Sequence, residues 1–292
     1  MPRMRIVLTS DLHYDVRRSQ APTEHIAREI VRIGGDVLVL VGDSASTDLA
    51  ILERVLGLFD DWKGPRLFVA GNHELWVPPD GDSLHRLNHE LPALARRCGA
   101  VYLEESPFLA GDVAIVGGVG WYDYTFRSSA LGVPLRFYQH KISPGLARLD
   151  ERYHHLVDGY HDLAPGLDDM IVRWMDGQRA RLDRSDVELT RLLLERLRAH
   201  LSDAAGRAER VLVALHHVPF HALVPRSVSL SFAFAEAFMG SELFGELILE
   251  FPQVRQVFCG HAHRRKIVQL GRVTATCIGS TYTEKLYDVV DL

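Results

Sequence analysis

The stretch from Val37 to Thr47, VLVLVGDSAST, decides the fold. Its first five residues are apolar without alternation and mostly β-branched, the pattern of a short strand covered on both faces. Gly42-Asp43 then ends the run in a polar loop. From about Asp48 to Phe59 the residues Leu49, Leu52, Leu56 and Phe59 recur at helical spacing. Buried strand, polar loop and amphipathic helix make the repeating unit of an α/β sheet.

The same unit stands on either side. Arg5–Thr9 reads as a strand leading into Ser-Asp-Leu-His, followed by a helix from about Pro22 to Ile33, with Pro22 in its first turn. Leu67–Ala70 reads as another strand and stops at Gly-Asn-His-Glu74. A helix over 83–97 and strands in VYLEE and VAIVGGVG follow, and then the periodicity lapses. Residues 121–165 are aromatic and histidine-rich without a clean period, which predicts an insertion that is either an ordinary packed excursion or a cap over the site. Ser185 and Glu188 form a capping-box pattern that opens a long helix bearing Leu189, Leu192, Leu193, Leu197 and Leu201. Strand 211–215 meets His216-His217, a helix covers 241–250, and strand 256–259 ends at Gly-His-Ala-His263. The tail predicts a hairpin from Lys266 and a last strand over 286–290.

A chain of 292 residues that is 47% apolar and 24% charged can bury a sizeable core, so the expectation is a single domain over 1–292 carrying that insertion. Net charge is −5, which gives no support to a surface dedicated to duplex nucleic acid. Cys98, Cys259 and Cys277 fit neither a disulfide framework nor a CxxC metal spacing and read as free thiols. No apolar run approaches the ~20 residues of a membrane span, and Ile6–Leu8 is too short for a signal-peptide core. A soluble cytoplasmic protein without membrane partners is expected.

Five polar clusters each follow a strand: Asp11-Leu-His13, Gly42-Asp43, Gly71-Asn-His-Glu74, His216-His217 and Gly260-His-Ala-His263. Loops at the carboxyl ends of neighbouring strands converge on one crevice, so these residues can meet. Imidazoles, carboxylates and an amide oxygen without thiolates suit borderline or hard cations such as Mn, Fe, Zn, Co or Ni. The donors are too many for one divalent or trivalent ion. Two ions sharing a carboxylate account for them and supply the chemistry of a hydrolase. Phosphoester hydrolysis follows most naturally, while the ligand types alone also permit amide or ester hydrolysis. Singly, Gly42-Asp43 and Gly71-Asn72 read as turn dipeptides and Gly260 as a tight bend; it is their joint occurrence that favours ligation.

In this order, DLH, GD, GNHE, a strand-end histidine and GHAH resemble the calcineurin-like metallophosphoesterase family, over Asp11–His263. The resemblance implies a four-layer α/β/β/α sandwich with two central mixed β-sheets. It implies one metal held by Asp11, His13, Asp43 and His263, and a second held by Asp43, Asn72, His216 and His261, with Asp43 bridging. His73 would be an outer histidine that assists departure of the alcohol while a metal-bridging hydroxide attacks phosphorus. Glu74 is expected to orient its loop or to make a purely structural contact. His216 is preferred to His217 as the ligand because it directly ends the strand, leaving His217 for phosphate or an outer contact. Some family members carry an acidic residue three positions after the Asp of GD, where this chain has Ser46.

The expected substrate is a small-molecule or nucleotide phosphoester. The paired histidines of GHAH resemble the phosphodiesterase branches, so diesters are favoured over monoesters. If the insertion folds over the site, substrate contacts are expected from Tyr122, Arg127, Arg136 and His140. A nuclease on the same centre and a non-catalytic protein-binding scaffold are the rival readings.

Overall fold

Strands expected at the three opening units form the middle of one sheet. The computed structural model describes residues 3–227 and 229–292; Met1 and Pro2, the first two residues of the expected domain, and Val228 lie outside the described residues. In the first sheet β1 (Arg5–Thr9), β2 (Val37–Val41), β3 (Arg66–Val69) and β4 (Ala100–Tyr102) run parallel. The last strand, β11 (Tyr287–Asp291), returns to pair antiparallel with β1, giving the order β11-β1-β2-β3-β4.

The second sheet has a parallel centre of β6 (Val113–Gly118), β7 (Arg210–Leu215), β8 (Val254–Cys259) and β10 (Val273–Cys277). Antiparallel edges β5 (Phe108–Ala110) and β9 (Lys266–Leu270) complete the order β5-β6-β7-β8-β10-β9. The alternation of strand side chains explains the sandwich. Ile6, Leu8, Val37, Val39, Leu67 and Val69 point between the sheets toward Val113, Ile115, Leu212, Ala214 and Phe258. Their neighbours Val7, Leu38, Leu40 and Phe68 belong to the core beneath the helices, so both strand faces are apolar. Two mixed sheets with helices on both sides are thus an α/β architecture, as expected.

Two helices depart from expectation, each for a structural reason. The first helix spans Arg17–Ile33, so Pro22 lies inside it rather than in its first turn. Pro22 removes one helical hydrogen bond, but the preceding turn is tied down: Ser19 Oγ donates to the Tyr282 carbonyl at 2.7 Å, and Arg18 lies 4.6 Å over the Tyr282 ring. The helix over 83–97 passes through a π turn at Arg86–Glu90. There Arg86 Nη1 donates to the carbonyls of Thr47 and Trp76, linking the loops that follow β2 and β3.

The first half of the aromatic excursion is core, whereas Tyr153 is half-buried and Tyr160 is 50% exposed. Trp121, Tyr122, Tyr124, Phe126, Phe137 and Tyr138 are all buried. Trp121 Nε1 (2.8 Å), Lys141 Nζ (2.6 Å) and the Tyr124 hydroxyl all donate to Asp186, which bolts the excursion to the start of the Asp186–Arg207 helix. The capping box at Ser185 and Glu188 is present there.

Candidate metal centre

Three of the five strand-end loops hold their key residues in an unusual backbone conformation. Asp11, His13, Asp43, His261 and His263 have φ of 54°, 42°, 51°, 65° and 51°; among the other described non-glycine residues only Tyr124 and Lys141 share a positive φ. Such conformations cost about 1–3 kcal/mol each, persist only where the surroundings enforce them, and gather at functional sites. The glycines of the motifs have a matching cause. A Cβ on Gly42, itself at φ 78°, would collide with the His216 ring, and one on Gly71 would collide with Asp43 Oδ1. These glycines admit neighbouring side chains from another loop, beyond the turn chemistry that their dipeptides suggest.

Donor atoms of Asp11, His13, Asp43 and His263 lie within 4.8 Å of one another, and so do those of Asp43, His216 and His261. Asp43 belongs to both groups. Its Oδ2 is 3.7 Å from His13 Nε2, 3.3 Å from His216 Nε2 and 3.8 Å from His73 Nε2. His13 Nε2 and His263 Nε2 face each other at 3.2 Å, and His263 Nε2 is 3.6 Å from Asp11 Oδ1. The residues fit a cation on a further count: His13 Nδ1, Asn72 Oδ1 and His216 Nε2 are buried without a hydrogen-bond partner among the described residues. Buried polar atoms without a partner are costly unless something compensates them, and this set of nitrogen and oxygen ligand atoms suits a borderline or hard metal ion.

Outer contacts aim the donors. His216 Nδ1 donates to the Val41 carbonyl at 3.1 Å, leaving Nε2 toward Asp43, while His261 Nε2 donates to the Phe238 carbonyl at 3.2 Å, leaving Nδ1. Ser10 Oγ and the His261 backbone N–H donate to Asp11, and the His73 N–H donates to Asp43 Oδ1. Glu74 clips two loops together by accepting the backbone N–H groups of Asp43, Ala45 and Gly71. Its expected structural contact is therefore seen directly.

Electrostatics follow from burial and proximity. Burial holds His13 and His261 well below the usual histidine range, with neighbouring imidazoles adding to it, so both are neutral. Burial alone would raise the Asp43 carboxyl, but His216, His73 and His13 hold it well below the carboxylate range. Burial also pulls on His216, yet Asp43 and then Asp11 override it and push it up to about 10. A cation in place of that proton answers the same negative charge.

His217 stands behind this set. Its Nδ1 donates to the Val119 carbonyl at 2.9 Å, its ring lies 4.3 Å from that of His261, and burial followed by His216 drives it down to about 3. The structure brings His216, and not His217, beside Asp43. The expected substrate contacts lie elsewhere. Tyr122 is fully buried and gives its hydroxyl to Asp176 at 3.0 Å. Arg127 donates to the Tyr124 carbonyl, Arg136 is paired with Asp162, and His140 packs against His155. None of these four lines the cavity at the centre. The segment that does reach it is 173–176, just past the expected end of the insertion at 165, together with residues from 232–239.

Asp176 was not singled out by any sequence pattern. Its Oδ1 accepts Asn72 Nδ2 (2.9 Å) and Trp76 Nε1 (2.7 Å), and its Oδ2 accepts the Tyr122 hydroxyl and Trp174 Nε1 (2.7 Å). The first of these bonds fixes the Asn72 amide so that its oxygen is the free atom. Lys285 is a second unforeseen member, donating from Nζ to the carbonyls of Asp11 (2.6 Å) and Thr281 (2.7 Å). A single Asp or Lys among many carries no local signal for such a role.

A family model for calcineurin-like phosphoesterases matches residues 4–265. Comparison with curated proteins finds no match. Among solved structures, the chain is similar to phosphopantetheinyl hydrolase from Mycobacterium tuberculosis, with a TM-score of 0.67 at 16% identity over 95% of this chain and 89% of that one. It is also similar to a dimetal phosphatase from Danio rerio, with a TM-score of 0.54 at 16% identity over 96% and 88% of the two chains. These likenesses show a shared fold. With the family model covering most of the chain and its motif residues gathered into one His/Asp cluster, the protein belongs to the calcineurin-like phosphoesterase family.

Proposed function

We propose that this chain is a two-metal phosphoester hydrolase acting on small phosphodiesters in the cytoplasm. The observation that carries the reading is the pair of donor groups sharing Asp43, assembled from strand-end loops of both sheets. Asp11, His13, Asp43 and His263 would hold one ion of the Mn, Fe, Zn, Co or Ni class, and Asp43, Asn72, His216 and His261 the other. When bound, such a pair activates water near neutral pH and offsets charge on the phosphoryl oxygens.

The chain's own residues do the rest. Asp43, carrying the charge common to both groups, fixes their spacing. Asn72, held by Asp176, presents an amide oxygen in a set otherwise made of imidazoles and carboxylates. His73 stacks on Trp76 with ring centroids 3.8 Å apart and lines the cavity, its Nε2 facing the ligand set. That placement suits it to give a proton to the departing oxygen. The paired histidines of the last motif support diesters over monoesters, as their resemblance to the phosphodiesterase branches implies.

The test is metal content of gently purified protein, combined with hydrolysis of p-nitrophenyl phosphate and bis-p-nitrophenyl phosphate before and after chelation and remetallation. About two metals per chain and chelator-sensitive, restorable turnover that favours the diester are expected. Protein that neither retains metal nor regains turnover overturns the reading in favour of a binding scaffold. His73→Ala should retain both metals yet lose about 10²–10⁴-fold in diester turnover; wild-type turnover would remove His73 from the chemistry.

A further inference from the structure

The cavity that opens over the ligand set has a floor and walls of opposite character. Its floor is Asp43, Asn72, His73, His261 and His263, and its volume is about 490 Å³, the size of a small-molecule site. Trp76, Trp174, Met175, Phe232, Met239 and Tyr282 form the walls. Both indoles are held in place, since each Nε1 donates to Asp176, and Trp174 further stacks on Phe238 at 5.2 Å and 11°. Tyr282 is pinned between Arg18 and the His13 ring. These are preorganised aromatic surfaces whose N–H groups are already satisfied from behind, so they offer apolar contact to whatever enters.

Apolar character continues to the mouth. Met175, in the cavity lining, is 37% exposed. Apart from imidazoles, the only cationic side chain lining the cavity among the described residues is Arg173. Its guanidinium is engaged by Asp150 at 2.8 Å and lies over Tyr153. Asp176 is taken up by Asn72, Tyr122 and the two indoles, and Thr281 Oγ1 by the backbone of its own turn, so among the described residues the Tyr282 hydroxyl is the one further polar group in the walls, too few to pair a second phosphate or a sugar's several hydroxyl groups as a selective site would have to.

We infer that the organic group carried by the phosphoester is apolar, an aryl or alkyl ester seated among Trp76, Trp174 and Phe232, rather than a nucleotide or polyphosphate. This inference rests on the phosphoester-hydrolase reading and narrows its substrate class. The walls supply binding energy remote from the reacting bond, and a ring or alkyl chain removed from water against them gains affinity in proportion to its area. Asp176 joins this wall to the metal centre through a single carboxylate, so seating of the organic group and the position of Asn72 are coupled.

The test uses the full chain reconstituted with Mn²⁺. Two diesters with the same leaving group are compared, p-nitrophenyl phenyl phosphate and the p-nitrophenyl ester of thymidine 5′-phosphate. In parallel, binding of phenylphosphonate and methylphosphonate is read from intrinsic tryptophan fluorescence. A preference of about tenfold or more is expected for the phenyl compound in both kcat/KM and affinity. Phe232→Ala should bring both ratios toward one. Equal or better use of the thymidine ester, or equal binding of the two phosphonates, overturns the inference. Hydrolysis of neither ester, with phenylphosphonate still bound more tightly, would remove the catalytic reading and leave the apolar site standing.

Discussion

Asp43 and Asp176 divide the work of the centre between them. Asp43 is the carboxylate common to both donor groups, surrounded by His13, His73 and His216. Asp43→Asn is therefore expected to lower metal content at both positions together, whereas His263→Ala should affect only the group containing Asp11 and His13; metal analysis of the two purified variants distinguishes them. Asp176 touches no donor atom except through Asn72. Asp176→Asn replaces one acceptor oxygen with a donor and releases the Asn72 amide. Affinity for one of the two metals should fall about 10–100-fold, the usual cost of losing such an outer partner. The same variant should alter tryptophan fluorescence, because Trp76 and Trp174 share that carboxylate; unchanged metal affinity would confine Asp176 to wall packing.

Elements were legible where local chemistry specifies them. Ser185 accepts the Glu188 N–H, and the Glu188 carboxylate answers the Ser185 N–H, so the start of the Asp186–Arg207 helix could be placed from two residues. Ser185→Ala should cost about 1 kcal/mol of stability, measured by urea unfolding; no loss would mean that Asp186, anchored by Trp121 and Lys141, holds the helix end unaided. The Arg17–Ile33 helix shows the opposite case. Pro22 favoured a later start on local grounds, yet the extra turns form because Ser19 and Thr23 bond to backbone carbonyls at Tyr282 and Leu12. That compensation arises from residues 263 and 11 positions away in the chain.

At the scale of the whole molecule, the two sheets are held by one apolar layer. Leu8 is fully buried between them, on the strand that leads into Asp11. Leu8→Ala should destabilise the fold by about 2–5 kcal/mol, the range for a buried leucine whose cavity relaxes only in part. Thermal and urea unfolding would read that loss. Because β1 also delivers Asp11 and His13, metal affinity should fall with it; a variant with normal metal affinity would show that the strand-end loops hold their shape independently of the layer beneath. No helix among the described residues is long and apolar enough to cross a membrane.

By itself the sequence determined the α/β grammar and the candidate donor residues. A parallel strand covered on both faces must be apolar throughout, as in VLVLV, and a candidate centre for a borderline or hard cation draws on side chains such as His, Asp and Asn, here following strand ends. Both demands are local and leave a readable pattern. Only the tertiary structure decided which histidine of the 216–217 pair faces Asp43, why Gly42 and Gly71 are bare, and that Asp176 holds Asn72. It also decided that the aromatic residues of 121–138 fill the core while 173–176 reaches the cavity. Those outcomes depend on contacts between segments tens to hundreds of residues apart, as with Asn72 and Asp176, 104 positions apart. No local periodicity encodes where such partners meet, because the geometry that joins them exists only after both sheets have packed.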